Sequence, residues 1–443
     1  LIIAQENFDM FTHKRFTHLR STHLGSIGKS TKFLSLAALL FFTANVAGAG
    51  SPAPVPFGTY YSESSMLAPL KQSQRPTTDG RVYMGNLNAT IDSLQVAIEK
   101  RPPDLLSLQL SRNLYHRFRI TGRMNDLEQA RKLAEQATLV IPESAEAWLL
   151  AAKLQASYHE FGSARKSLDM AEEKGALAEK IAVVSYEIEQ ALQGGLKLKD
   201  LSALPEPQDL AEFVQRANDA INRGDLKMAD ELLTQAQYRY NDSNPFPIAW
   251  LHVQQGIAFL RFGDPQRASK FFIAARERLP SYYLATEHLA ESELLLGNAQ
   301  QAAELYQSVY EQTGNPEFLG GLAQAQAQLD IADAKDNLQR AKRDYEALAE
   351  QHPAMYSQHA AKFFLKQGDA ARALKLAEGN LEVRQDIQSL ILYASAAAEV
   401  GNTQSACNSL QRSLESGARP PELVELQSDL GAACEASKLA SRY

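Results

Sequence analysis

Two cysteines, a few histidines and several acidic pairs are the residues of this chain whose types suit chemistry. Cys407 and Cys434 form an even pair, which an oxidising compartment can close as a disulfide and which otherwise stays as two buried thiols. His13, His18 and His23 stand five residues apart. That spacing suggests a metal tract, but the three lie in a segment expected to be removed. His352 and His359 straddle Pro353, and a proline breaks the helix that would align them. Gly320-Gly321 lacks the GK[ST] that a phosphate loop requires. Glu291 with Glu293, and Glu422 with Glu425, read as solvated helix faces. With no nucleophile motif, phosphate loop or metal spacing, the chain is expected to be no enzyme and to hold no cofactor and no metal. Net charge is −7 and no Lys/Arg cluster stands out, which argues against nucleic acid as a partner.

The N-terminal stretch carries an address. Lys29 and Lys32 precede the apolar run FLSLAALLFFTA from Phe33 to Ala44, followed by Ala47-Gly48-Ala49. Basic flank, short apolar core and A-x-A site describe a secretory signal peptide cleaved after Ala49. An uncleaved inner-membrane anchor is the alternative, disfavoured because a span needs about 20 apolar residues. No cysteine follows the site to take a lipid. Residues 50–84 are read as a flexible linker, with Pro52, Pro54, Pro56, Pro69 and Pro76 among Ser, Thr and Gly. The expected location is the periplasm, with no membrane span after cleavage.

The elements that position everything else are announced by a recurring alanine. Ala130, Ala164, Ala229, Ala268, Ala302, Ala341, Ala373 and Ala406 each open a helical pattern. The steps from 130 to 164 and from 268 to 302 are 34 residues; those from 229 to 268 and from 302 to 341 are 39 and imply five residues inserted in a loop. A fixed period of this size means stacked helix pairs, a solenoid that grows by repetition.

The clearest unit begins near Trp250, with Gly256 and Phe259 on its first helix, Gly263-Asp264 at the turn, Ala268, Phe272 and Ala275 on its second helix, and Pro280 closing it. This unit resembles the tetratricopeptide repeat. Gly256 and Ala268 are expected where the two helices cross, Gly263 at the turn, and Phe272 in the wedge between neighbouring units. Partial matches recur at Ala217, Gly224-Asp225 and Ala229; at Ala290, Gly297-Asn298 and Ala302; at Ala361, Gly368-Asp369 and Ala373; and at Ala394, Gly401-Asn402 and Ala406. The resemblance covers about 95–436. It implies an all-α, right-handed α-α superhelix of about eight to nine helix pairs, with 420–437 as a C-terminal capping helix. One unit is expected to have a lengthened link around 330–336. The pattern decays between Ala171 and Ala211, which suggests a hinge between an N-terminal block, 85–200, and a C-terminal block, 201–443.

The resemblance also implies a use, because such solenoids bind a protein or peptide client along the concave face lined by first helices. In matched register that face reads Trp250, Val253, Ile257 and Leu260, then Leu284, Glu287, Glu291 and Leu294, then Met355, Gln358, Lys362 and Leu365. The candidate client-binding residues are Trp250, Val253, Ile257, Leu260, Leu284, Glu287, Leu294 and Lys362. Their apolar character suits an amphipathic helix or an extended segment. The competing account is that curvature presses these side chains against adjacent helices. One subgroup clamps a client's terminal carboxylate with Lys and Asn at the fifth and ninth positions of the repeat, which here read Leu149 and Lys153 in one unit and Val253 and Ile257 in another, so that function is not expected. The expected function is a periplasmic scaffold for assembly of a cell-envelope or secretion-related complex. The alternative is a non-catalytic auxiliary subunit of an envelope enzyme or polysaccharide export machine.

Overall fold

The computed structural model describes residues 76–99, 105–192 and 206–440. The signal segment and most of the linker expected above lie outside these residues. Among the described residues there are nineteen helices, and the chain is all-α. A single helix α1 (Gly80–Ile98) leads into the pairs α2 (Leu105–Thr121) with α3 (Met124–Val140) and α4 (Ala145–Ser157) with α5 (Phe161–Glu173). A lone α6 (Ala178–Leu192) follows. The second run pairs α7 (Leu210–Arg223) with α8 (Leu226–Arg239), α9 (Pro245–Arg261) with α10 (Pro265–Arg278), and α11 (Tyr283–Leu295) with α12 (Ala299–Thr313). It continues with α13 (Pro316–Gln328) and α14 (Ala334–Gln351), α15 (Pro353–Lys366) and α16 (Ala370–Val383), and α17 (Ile387–Glu399) and α18 (Thr403–Glu415), and ends in α19 (Pro421–Ala440). Helices adjacent in sequence pack on each other from α1 to α6 and again from α7 to α19, which makes the molecule a solenoid of helix pairs.

The local chemistry of one unit explains the pairing. Gly263 takes φ +81°, a left-handed conformation that lets α9 end without strain. Asp264 then caps α10, its Oδ1 accepting from Arg267 N at 3.0 Å, and Pro265 stands at the first helical position, where no donor is missed. Along α10, Ala268, Phe271, Phe272 and Ala275 are buried at helical spacing and turn one stripe inward. All eight recurring alanines are fully buried at the helix contacts. Phe272 lies in the expected wedge, its ring stacked on His288 of the next unit with centroids 5.3 Å apart. Two turns use a side-chain-bearing residue at the left-handed position, His159 (φ 58°) and Asp330 (φ 55°).

Several expectations are corrected here. The linker ends before 84: α1 begins at Gly80, capped by Asp79, whose Oδ1 accepts from Arg81 N and Val82 N. The extra residues near 330–336 extend a helix more than a loop, since α14 begins at Ala334 and runs for 18 residues. Glu291, Glu293 and Glu422 are buried, where solvated faces were expected.

The superhelix winds tightly enough for successive turns to touch. Thr78 N donates to Ser243 O, Gln385 N to Ala191 O and Arg419 N to Asn222 O, all at 2.7–2.8 Å. The His159 ring sits 2.9 Å from Ala354 O through Nδ1, and Gln312 Nε2 donates to Thr121 O. Arg261 and Glu422 form a buried two-pronged ion pair, 2.7 and 3.1 Å, that ties the end of α9 to α19. One apolar core runs from Met84 to Ala396 and includes residues from both expected blocks. A hinge between them would have to break these contacts. The terminal helix α19 covers the last pair with Leu423 and Leu426, and a Cys407–Cys434 disulfide fastens it to α18.

Candidate functional site

Most first helices show one buried stripe, but α9 and α11 are buried nearly all round, and α11 alone of the two buries several carboxylates. From Leu284 to Glu293 every residue is buried, including Glu287, His288, Glu291, Ser292 and Glu293. Polar side chains in such a place need partners, because an unsatisfied buried polar group is costly. Glu293 accepts from Asn298 Nδ2 at 2.6 Å and belongs to the turn. Ser292 Oγ donates to His288 O at 2.9 Å, which engages the hydroxyl in a backbone contact. The remaining three form one cluster: His288 Nδ1 lies 2.9 Å from Glu287 Oε2 and 3.4 Å from Glu291 Oε2.

That cluster faces a cleft between three successive first helices. A cavity of about 300 Å³ is lined by Leu284, Glu287, His288 and Glu291 of α11, Glu317 and Phe318 of α13, and Tyr356 and His359 of α15. A second cavity, of about 760 Å³, shares Glu287, Glu291, Glu317 and His359 with it and adds Leu294, Gln324 and Lys362. Across the cleft from α11, His359 Nδ1 stands 3.3 Å from Glu317 Oε2. The walls therefore combine four carboxylates, Asp330 included, and two imidazoles with Arg119, Lys362 and Lys366 and with apolar and aromatic surface. Such a cleft can hold an extended apolar segment and receive a cationic group on its carboxylates.

Three of the fully or mostly buried imidazoles differ in charge for physical reasons. Burial pushes His252 down to about 3 and His116 down to about 4, so both stay neutral. Burial is also the largest single influence on His288 and acts in the same direction, but the Glu287 and Glu291 carboxylates together outweigh it and raise this group to about 10. His288 therefore carries a proton and balances part of the buried negative charge. Among the described residues, Glu287, His288 and Glu291 are the set of ionisable side chains close enough together to hold a metal ion.

The candidate client-binding residues divide into two groups. Leu284 and Glu287 line the smaller cavity, and Glu287, Leu294 and Lys362 line the larger one. Trp250, Val253, Ile257 and Leu260 line neither, and all four are buried within α9. The expected exposed apolar groove along α9 is corrected on this point, and the reason is the winding. The next first helix, α11, packs along α9, and α2 meets its start, where His116 approaches the Phe246 ring edge-on at 5.4 Å and the Arg119 guanidinium sits 4.9 Å over the same ring. At its far end Arg261 is held by α19. His288, Glu317 and His359 were missed as site residues. A signal was available in the pattern EHLAESE, Glu287–Glu293, which lacks the single apolar stripe of a surface helix yet sits inside the repeat register.

No protein-family model matches the chain, and no curated protein matches it. Solved structures do. A thermophilic tetratricopeptide-repeat protein of Thermus thermophilus is 18% identical, covering 42% of this chain and 98% of its own, with a TM-score of 0.34. Yeast Tom70 is 15% identical over 86% of this chain and 91% of its own, with a TM-score of 0.30. A tetratricopeptide repeat protein of Parabacteroides merdae is 18% identical over 50% and 98%, with a TM-score of 0.24. The likeness extends to the stacked helix pairs and no further.

Proposed function

We propose that this chain is a non-catalytic scaffold that binds a protein or peptide client in the cleft between α11, α13 and α15. The observation that carries this reading is the cleft itself, where apolar walls and buried carboxylates meet on the first helices of three consecutive units. Concave surfaces built by stacked repeats suit extended clients. The client we infer is an extended segment with apolar side chains and at least one basic group.

The setting we infer is the periplasm, in assembly of an envelope or secretion-related complex. The signal-like run before Gly50 supports export, and a disulfide suits an oxidising compartment. Among the described residues no helix is long and apolar enough to cross a membrane. The test is Gln324→Trp, which fills the larger cavity from its own wall. Loss of a client co-purified from envelope extract, with circular dichroism and melting unchanged, is the expected result; a fully retained client contradicts the assignment.

A further inference from the structure

The cluster on α11 permits a step beyond a client-binding cleft. We propose that Glu287, His288 and Glu291 together bind one divalent first-row transition-metal ion, with zinc or manganese as the fitting class. The three side chains each offer one ligand atom, and these atoms lie within 4.8 Å of one another. An ion with bonds of about 2.0–2.2 Å places neighbouring ligand atoms roughly 3.0 Å apart in octahedral and 3.4 Å in tetrahedral geometry. His288 Nδ1 stands 2.9 Å from one carboxylate and 3.4 Å from the other. Those two separations match an ion's ligand shell, and the third, between the two carboxylates, lies within 4.8 Å.

Further features of the site bear on the ion it would take. One imidazole with two carboxylates favours zinc, manganese or iron over magnesium and calcium, which take oxygen ligands alone. The stack of His288 on the fully buried Phe272 fixes the ring plane, so that the donor nitrogen is held in place before an ion arrives. An ion at this place displaces the proton from His288 Nδ1, so uptake releases a proton. The remaining coordination positions face the cavity, toward Glu317 and His359, where water or a donor from a bound molecule completes the shell. This inference does not depend on the identity of a client or on there being one.

The experiment uses the full chain, stripped by chelator and re-equilibrated with zinc or manganese ions as the probe. One equivalent retained by the wild type is expected, with retention falling at least about tenfold in both Glu291→Gln and His288→Gln. Melting is followed in parallel, and added ion should raise the midpoint of the wild type but of neither variant. A wild type that retains no ion overturns the proposal. Undiminished retention in both variants overturns it too, and moves the ion elsewhere, the His13, His18 and His23 tract included. Should a variant fail to fold, anomalous scattering at the zinc edge from wild-type crystals decides. A peak among the three donor atoms supports the site, and a peak elsewhere or none refutes it.

Discussion

Gly256→Ala should destabilise the protein even though alanine is the better helix former. In the middle of a helix, alanine is worth about 1 kcal/mol over glycine. At Gly256, however, a Cβ would come within 2.3 Å of Cε1 and 2.6 Å of Cζ of the Phe272 ring, far inside contact distance. The ring has no room to retreat, since Phe272 is fully buried and stacks on His288. Overpacking of a tight core costs about 1–3 kcal/mol, and a clash this deep belongs at the upper end. Offsetting the helix gain leaves a net loss of about 2 kcal/mol. Gly379→Ala is the matched control: it sits exposed in α16 with nothing within 4 Å of the new carbon, and should gain about 1 kcal/mol. Urea unfolding read by Trp250 fluorescence, a buried reporter on the same helix, measures the first, and circular dichroism measures both. If Gly256→Ala were as stable as the wild type, the close crossing at α9 and α10 would not exist as described.

Four further outcomes are expected. Burial raises Asp230 to about 6 from an ordinary 3.8, so its contribution is fully present below pH 3.8 and is lost as pH rises through 6. Asp230→Asn should therefore be more stable than wild type at pH 7, on the order of 2–3 kcal/mol, and equal to it near pH 4 in matched melts. His252 is held near 3, so the stability tied to its neutral form is complete above pH 6.5 and declines as pH falls from there toward 3; His252→Leu should flatten that part of the profile. Replacing Cys407 and Cys434 by alanine opens a loop of 27 residues, which costs about 3.5 kcal/mol in chain entropy and should appear as faster hydrogen exchange in α19 before anywhere else. N-terminal sequencing of exported protein should start at Gly50; a start upstream of Phe33 would favour an anchor.

The solenoid was legible because its signals are local. Each recurring alanine is buried by its own partner helix, and turns such as Gly263-Asp264 end one helix and cap the next within four residues. The disulfide also lies between neighbouring elements, α18 and α19. What could not be read depends on contacts between turns of the superhelix. Nothing near Ile257 in sequence states how closely α11 will pack along α9 or that α2 will meet its start, so apolar residues there looked like a binding groove when they are core. The same distance effect hid the site. Glu291 and Glu293 look like a solvated face until the residues that enclose them are known, and Glu317 and His359 meet only through the stacking of α13 on α15. His159 was invisible for a related reason: it fills a turn position suited to glycine, and its ring reaches Ala354 on the next superhelical turn.

Photo-crosslinking from two positions tests the central claim, that the concave cleft is the working surface, most directly. A crosslinker at Gln324, in the wall of the larger cavity, is compared with one at Gln307, exposed on the outer helix α12. In cells exporting the full chain, position 324 should yield one discrete adduct that disappears when Ala327→Trp, exposed in the same wall, fills the cavity, while position 307 yields none. An adduct formed equally from both positions, or from 307 alone, would contradict the account.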